Sequence, residues 1–128
     1  NEKGNAIGSD VSDAVFSVDV VTVTAPAKGD SCSSGVVAFC PITWVTNAAA
    51  GVVKSIDIEY SKNNGTTWIH VMTIDNTAGL FDTGGTYNWD IEPAIPDSKP
   101  NSFVRVTLRD AAKKVIAKDK SGKFTITP

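Results

Sequence analysis

Apolar and polar residues alternate with a period of two along much of this chain, and the alternation restricts its fold more than any other feature. It is clearest in residues 55–60 and 103–109, where the apolar positions are Ile56, Ile58, Tyr60, Val104, Val106 and Leu108. Because a β-strand turns successive side chains to opposite faces, each stretch predicts a strand with one buried and one solvated face. Antiparallel sheets that cover a core on one side carry this pattern.

Five shorter runs of the same character bring the predicted number of strands to seven: residues 20–25, 38–45, 68–74, 87–91 and 123–127. Turn-forming residues separate the runs. Asn64-Gly65 is the sharpest turn signal, since a two-residue hairpin turn needs positive φ angles that asparagine and glycine adopt readily. No segment keeps helical spacing for more than one turn. We therefore predict an all-β, antiparallel, seven-stranded sandwich, because only a second sheet can cover each apolar face.

The first twenty residues resemble the last twenty when residue 1 is laid on residue 109 without gaps. The matching apolar pairs are Ile7 with Val115, Phe16 with Phe124 and Val18 with Ile126. A chain that begins with the final strand of one unit and then runs through a whole unit is a slice of a tandem array. We expect residues 1–18 to be the leftover terminal strand of a preceding repeat or a linker, and residues 19–128 to be the domain.

Several short motifs together resemble the immunoglobulin-like or fibronectin type III-like repeats of bacterial secreted and surface proteins. They are residues 21–26, 42–44, 58–61, 64–68, 87–89 and 103–106. The resemblance implies an immunoglobulin-like sandwich that serves as a spacer, an adhesive segment or an accessory module beside catalytic domains. The chain departs from these repeats at Cys32 and Cys40, where they usually carry a polar hairpin.

Cys32 and Cys40 are separated by a short stretch containing Ser33, Ser34 and Gly35, which is flexible enough to fold back on itself. We interpret the pair as a local disulfide worth about 2–3 kcal/mol, which implies an oxidising compartment and hence an extracellular, secreted or cell-surface location. Two reduced, buried thiols are the alternative. A zinc site is disfavoured because two thiolates without a nearby histidine do not supply four ligands.

The segment from Ser61 to Trp68 is similar to the Asp-box hairpin of sialidases and other propeller proteins, with asparagine in place of the usual aspartate. Its motif residues are Ser61, Asn63, Asn64, Gly65, Thr67 and Trp68. The resemblance implies a structural hairpin in which polar side chains hydrogen-bond the turn backbone and the tryptophan packs beneath. It does not imply a catalytic role.

Five large ring residues raise a carbohydrate-binding hypothesis, since sugars stack on flat apolar faces: Trp44, Tyr60, Trp68, Tyr87 and Trp89. Core packing accounts for most of them, because Trp44 shares a strand face with Ile42 and Trp89 alternates with Tyr87. Trp68, at the edge of the predicted turn, is the candidate for stacking on a ligand.

Charged residues are scattered in a way that favours surface pairing over catalysis. Asp57 and Glu59 lie on the solvated face of one predicted strand, and Arg105 and Arg109 on that of another, so we expect cross-strand ion pairs worth a few tenths of a kcal/mol. A calcium site between domains is a weaker hypothesis, built on loop aspartates that no calcium-binding motif arranges: Asp75, Asp82, Asp97, Asp110 and Asp119.

The single histidine, His70, has no nucleophile relay around it in sequence and is predicted to lie on the sheet surface. We expect no catalytic residues, no metal and no cofactor. Twelve basic and fourteen acidic residues give a net charge of −2, which disfavours nucleic acid, and no apolar run is long enough for membrane insertion.

These features favour a noncatalytic extracellular structural or adhesive repeat, a spacer or interaction domain of a larger bacterial surface or secreted protein. The alternative is a carbohydrate- or surface-ligand-binding accessory module of a secreted enzyme, and a small hydrolase is a weaker third. Expected partners are neighbouring domains of the same polypeptide, with a carbohydrate or cell-surface ligand as candidates. Residues 7–18, cut from their own sheet, would either be disordered or add to an exposed sheet edge, including that of another molecule.

Overall fold

The computed structural model describes residues 19–35, 39–91 and 95–128, and the predictions made for residues 1–18 lie outside this range. The described residues form nine strands and no helix, so they contain no helix able to cross a membrane. The strands are β1 (Val21–Ala25), β2 (Ser31–Ser33), β3 (Phe39–Thr46), β4 (Ser55–Ser61), β5 (Ile69–Asp75), β6 (Gly84–Asp90), β7 (Lys99–Arg109), β8 (Val115–Lys120) and β9 (Phe124–Thr127).

Two sheets pack face to face around one apolar core. The smaller sheet has the order β1-β3-β6, and the larger has the order β2-β9-β7-β4-β5 with β8 also beside β7. Alternate residues of both sheets fill the core: Val21, Val23, Ile42, Trp44 and Trp89 from the smaller sheet, and Ile56, Ile58, Val104, Val106, Leu108, Phe124 and Ile126 from the larger. The all-β, two-sheet prediction is confirmed. The predicted apolar positions of β4 and β7 also face the core, as expected.

The strand count and the pairing differ from the prediction. The described residues contain nine strands where seven were predicted, because Ser31–Ser33 and Val115–Lys120 also pair. The first is only three residues long and the second, VIAKDK, lacks strict alternation, so neither carries a clear strand signal. The prediction of purely antiparallel sheets is wrong at β2, which pairs in parallel with β9.

A buried serine divides the C-terminal part of the chain into β8 and β9. The Ser121 amide donates to the Val104 carbonyl at 2.7 Å, and the Ser121 Oγ accepts from the Val104 amide at 3.0 Å. The hydroxyl thus replaces a carbonyl where the ladder is interrupted, so no backbone group of Val104 is left unpaired. Gly122 lies where the chain approaches the backbone of Lys28 closely. A Cβ at position 122 would be 2.7 Å from the Lys28 backbone nitrogen, so a side chain does not fit there without a shift.

The first described strand begins at one end of the sandwich, and the last described strand finishes at the other end. Val21 of β1 pairs with Thr46 at the end of β3. The loop that follows crosses to the other sheet at that same end, where the Lys54 amide donates to the carbonyl of Arg109, the last residue of β7. Ile126 of β9 pairs instead with Lys99, the first residue of β7. The chain therefore enters β1 at one end and leaves β9 at the other.

Cys32 and Cys40 form a disulfide with a Cα–Cα distance of 5.4 Å, as the sequence predicted. Cys32 lies in β2 of the larger sheet and Cys40 in β3 of the smaller one, and both are buried. The bond therefore joins the two sheets through the core.

Replacing both cysteines, Cys32→Ser with Cys40→Ser, should lower the free energy of unfolding by about 2–3 kcal/mol, because the unfolded chain regains the entropy of a short loop. Urea unfolding monitored by tryptophan fluorescence measures the change. Wild-type protein in reductant should match the double variant, and reductant should leave the variant unaffected. An equal unfolding free energy for reduced and oxidised wild type would contradict the prediction.

Candidate functional site

Two ion pairs cross the solvated face of the larger sheet, as predicted. Arg105 of β7 donates from Nε and Nη2 to Glu59 Oε1 of β4, at 3.0 and 2.8 Å. Arg109 donates from Nε to Asp57 Oδ2 at 2.6 Å. Both pairs follow from the register, because Glu59 lies opposite Arg105 and Asp57 lies two residues after Ser55, the partner of Arg109. The four charges of these two pairs balance one another.

The second ion pair extends into a chain of hydrogen bonds over three strands. The Thr73 hydroxyl of β5 donates to Asp57 Oδ1 at 2.8 Å, and His70 Nε2 lies 2.9 Å from the same hydroxyl oxygen. Since the only hydroxyl hydrogen of Thr73 is directed at a carboxylate, His70 Nε2 must be the donor in the last bond.

This chain of hydrogen bonds contains the residue types of a nucleophile relay, but its hydrogen bonds are donated in the wrong direction for one. A base must accept the hydroxyl hydrogen, whereas here the imidazole donates to the hydroxyl oxygen. The group that receives the hydrogen is Asp57, whose pKa is lowered and which is correspondingly a weak base. As predicted, His70 is exposed on the surface of the sheet. The arrangement orders side chains on a surface and does not activate Thr73.

The pKa of Asp57 is lowered from 3.8 by the net effect of opposing influences. Desolvation by burial is the largest single one and raises the pKa, but hydrogen bonds from Arg109 and Thr73 together with the positive charge of Arg109 and His70 outweigh it. Because the folded-state pKa is lower than that of the unfolded chain, ionised Asp57 stabilises the fold above pH 3.8, and the stabilisation is lost as pH falls through the folded-state pKa.

Substituting Asp57→Asn should therefore lower the free energy of unfolding at pH 7 by about 0.2–1 kcal/mol, the range for solvent-accessible ion pairs. The difference from wild type should shrink as the pH falls below 3.8 and should close once the pH is below the lowered folded-state pKa, where the wild-type carboxyl is also neutral. Urea unfolding at several pH values measures it, with Asp97→Asn, at an exposed loop position, as the matched control. A difference that persists undiminished at the lowest pH, or none at pH 7, would refute this assignment.

The hairpin between β4 and β5 is held by side chains of the predicted motif. Buried Ser61 accepts hydrogen bonds from the Gly65 amide at 2.9 Å and the Asn63 amide at 3.3 Å. Asn63 Oδ1 accepts from the Thr67 amide at 3.0 Å, and its Nδ2 donates to Thr67 Oγ1 at 2.7 Å. Asn64 has φ 62° and Gly65 φ 82°, the positive values predicted for them. The predicted two-residue turn is wrong, because seven residues, 62–68, connect β4 to β5.

Trp68 lies half-exposed after the hairpin, beside a shallow depression of about 420 Å³. The Arg105 guanidinium carbon stands 4.2 Å from the centroid of its ring, so one face of the indole is covered by a cation that is itself paired with Glu59. Lys118 and Lys120 also border the depression, and Lys120 Nζ lies 4.5 Å from the Phe103 ring centroid. The surface combines a ring with nearby cations.

The other ring residues have the packing roles that their spacing predicted, to different extents. Trp44 and Trp89 are buried, with exposures of 1% and 4%. Tyr60 packs on Trp89 with ring centroids 4.7 Å apart, and burial raises the pKa of the Tyr60 phenol above its ordinary value. Tyr87 is half-buried against the same cluster. Trp68 is thus the most accessible of the three tryptophans.

The loop aspartates are not brought together as a cation site. In the described parts of the chain no group of three or more histidine, cysteine, aspartate or glutamate side chains could hold a metal ion. Asp110 instead accepts from the amides of Ala112 and Lys114, both at 2.9 Å, and closes the turn between β7 and β8. The Asp119 carboxylate accepts from the Val23 amide at 2.9 Å, which ties β8 to β1 of the other sheet.

Sequence reasoning missed a buried asparagine and a groove. Asn76 is 1% exposed, and its side chain donates to the Val53 carbonyl at 2.8 Å and accepts from the Phe81 amide at 2.7 Å, which organises the loop before β6. The groove lies between β5 and β6, and its lining mixes ring, aliphatic and charged residues: Tyr60, Ile69, His70, Val71, Tyr87, Trp89, Asp90 and Ile91. A single asparagine between turn residues carries no burial signal, and the groove depends on the order of strands in both sheets.

Comparison of the sequence with models of known protein families finds no match, and comparison with curated proteins finds none either.

Proposed function

We propose that this protein is a noncatalytic structural module, an immunoglobulin-like or fibronectin type III-like repeat that separates or joins domains of a larger bacterial secreted or cell-surface protein. The observation that carries the proposal is the direction of the terminal strands. The chain enters β1 at the end of the sandwich near Arg109 and leaves β9 at the end near Lys99. Modules with that geometry can follow one another head to tail along a single axis.

The strand order supports the finer assignment. If β1 and β2 are two halves of one strand interrupted at Pro26, and β8 and β9 two halves of one interrupted at Ser121, the nine strands reduce to the seven of an immunoglobulin-like sandwich. The first of these strands then contacts both sheets, since β1 pairs with β3 and β2 with β9. A strand shared between sheets ties the layers at their edge.

Stiffness is the physical property that a spacer needs, and three features supply it. The core joins both sheets, the Cys32–Cys40 bond links them covalently, and the Asp119 carboxylate binds β1 from β8. Relative sliding of the sheets would disturb the core packing and the Asp119 hydrogen bond, and the disulfide restrains it covalently. The disulfide also supports an extracellular location, because such bonds persist in oxidising compartments.

A tandem polypeptide tests the head-to-tail arrangement directly. In it, the 128-residue chain is followed by a second copy of residues 21–128, which keeps the register of the repeated ends. Small-angle X-ray scattering should show the maximum dimension increasing by about 36 Å, the length of the eleven residues of β7 at 3.3 Å each.

The matched control joins the same two copies through a flexible glycine-serine linker, which should give a broader distribution of distances. A maximum dimension that hardly increases would mean that the modules lie side by side. That result would contradict the proposal.

The second candidate function is carbohydrate binding at the depression beside Trp68. The observation that favours it is the half-exposed indole with Arg105, Lys118 and Lys120 around it, since a ring and cations together suit sugars that carry carboxylates. The Arg105 side chain would have to share or vacate the indole face for a sugar to stack there.

Titration with polygalacturonate and with a neutral β-glucan oligosaccharide tests this candidate. Binding at the depression should be detected by calorimetry for the acidic polymer, weaken with added salt, and be lost in Trp68→Ala. Val45→Ala, on the exposed face of the other sheet, is the control and should bind like wild type. If neither polymer binds, or if Trp68→Ala binds unchanged, the candidate fails.

A further inference from the structure

Asn64 and Gly65, in the hairpin between β4 and β5, form the only Asn-Gly pair in the sequence. Asn64 is exposed and borders the depression beside Trp68. An asparagine followed by glycine is prone to deamidation, because glycine has no Cβ to obstruct the approach of its own backbone nitrogen to the asparagine side chain. The hairpin therefore carries a residue pair that can change its own covalent structure in water.

This reaction needs water as its only co-reactant. The Gly65 amide gives up its hydrogen to a base, its nitrogen bonds to Cγ of Asn64, and the Cγ–Nδ2 bond breaks, so that the side-chain nitrogen takes up a proton and leaves as ammonia. Water then adds to either carbonyl of the resulting cyclic imide and opens it to aspartate or to isoaspartate. The net change consumes water, releases ammonia and replaces a neutral amide with a carboxylate.

The folded hairpin opposes the first step of this reaction. The Gly65 amide donates to Ser61 Oγ at 2.9 Å, and Ser61 is 0% exposed. The single hydroxyl hydrogen of Ser61 is directed at Asn63 Oδ1, 2.8 Å away, so the Ser61 oxygen remains an acceptor for the amide. An amide held in this way loses its hydrogen to a base only when the structure opens locally, as in hydrogen exchange.

Backbone hydrogen bonds also hold the turn on both sides of the reactive bond. The Asn64 amide donates to the Asn101 carbonyl at 2.9 Å, and the Thr66 amide donates to the Asn63 carbonyl at 3.2 Å. Closure of the imide ring draws the Gly65 nitrogen towards Cγ of the asparagine and would disturb these bonds. The reaction therefore depends on opening of the hairpin.

We propose that Asn64 is a site of spontaneous deamidation and that Ser61 controls its rate, so that conversion to aspartate or isoaspartate occurs when the hairpin opens. This modification is independent of the head-to-tail arrangement proposed above.

The product carboxylate changes the charge of the depression beside Trp68. Asn64 borders it together with Arg105, Lys118 and Lys120, and a negative charge at position 64 opposes the attraction of those cations for an acidic ligand. This consequence rests on the carbohydrate candidate described above. Deamidation would weaken binding of an acidic polymer irreversibly, because neither product regains the amide.

Incubation of the folded 128-residue chain in mildly alkaline buffer, followed by peptide mapping with electron-transfer fragmentation, measures the rate of conversion at Asn64. Ser61→Ala should increase this rate about fivefold, which corresponds to about 1 kcal/mol for one lost hydrogen bond. Ser121→Ala is the matched control, because Ser121 is also buried and accepts from the Val104 amide, outside the hairpin. It should leave the rate at the wild-type value.

Wild-type protein alone provides a second measurement, which decides the question if Ser61→Ala fails to fold. The chain unfolded in guanidinium should deamidate Asn64 about fivefold faster than the folded chain, or more, since unfolding removes every bond that holds the hairpin closed.

Asn64→Asp carries the charge of the product without the reaction. It should bind polygalacturonate about two- to fivefold more weakly than wild type, the effect of one exposed charge. Thr83→Asp adds the same charge at an exposed position before β6, away from the depression, and should bind like wild type. If wild type does not bind the polymer, the carbohydrate candidate fails, and the rates at Asn64 still decide the proposal.

Several results would overturn the proposal. An Asn64 that stays unmodified in the unfolded chain would show that this pair does not react. Equal rates in the folded and unfolded chains would show that the hairpin gives no protection. A folded Ser61→Ala variant that reacts no faster than wild type, or a Ser121→Ala variant accelerated to the same extent, would remove the role of Ser61.

Discussion

Burial of two facing apolar layers is the interaction on which the rest of this structure depends. Ile42 and Trp44 from one sheet and Ile58 and Val106 from the other are almost completely removed from solvent. Each such side chain contributes about 1.5–3 kcal/mol when it leaves water, more than the roughly 0.2–1 kcal/mol of an exposed ion pair such as those described here. The sheets must therefore stay in contact, and the disulfide acts on a pair of layers that hydrophobic burial has already brought together.

Polar groups refine this arrangement because each buried one must find a partner. The side chains of Asn76 and Ser61 are buried, and each offsets its loss of hydration by accepting a hydrogen bond from a loop amide. These bonds fix the loops at the two ends of the sandwich. The described exception is Trp44 Nε1, a buried donor without a partner. A missing hydrogen bond costs about 1–3 kcal/mol, and burial of the indole ring, packed near Phe81, offsets it. The solvated face has the opposite character, with paired charges that order the surface but add little stability.

Much of this could be predicted because it depends on local pattern. Alternation located β4 and the second half of β7, and because it also assigned Asp57, Glu59, Arg105 and Arg109 to solvated faces, the ion pairs followed. The spacing of the cysteines was enough for the disulfide. Strand β2 was not predictable, since a three-residue strand forms only because β9 is already beside it. The groove between β5 and β6 depends on strand order in both sheets, which short sequence patterns do not encode.

The central claim is that both sheets form one cooperative unit built on a shared core, and native-state hydrogen exchange tests it most directly. In low concentrations of urea, amides of β3 in the smaller sheet and of β4 and β7 in the larger should exchange with the same free energy, equal to that of global unfolding. If the amides of β3 opened at a distinctly lower free energy than those of β4 and β7, the sheets would be separate units and the account would be contradicted.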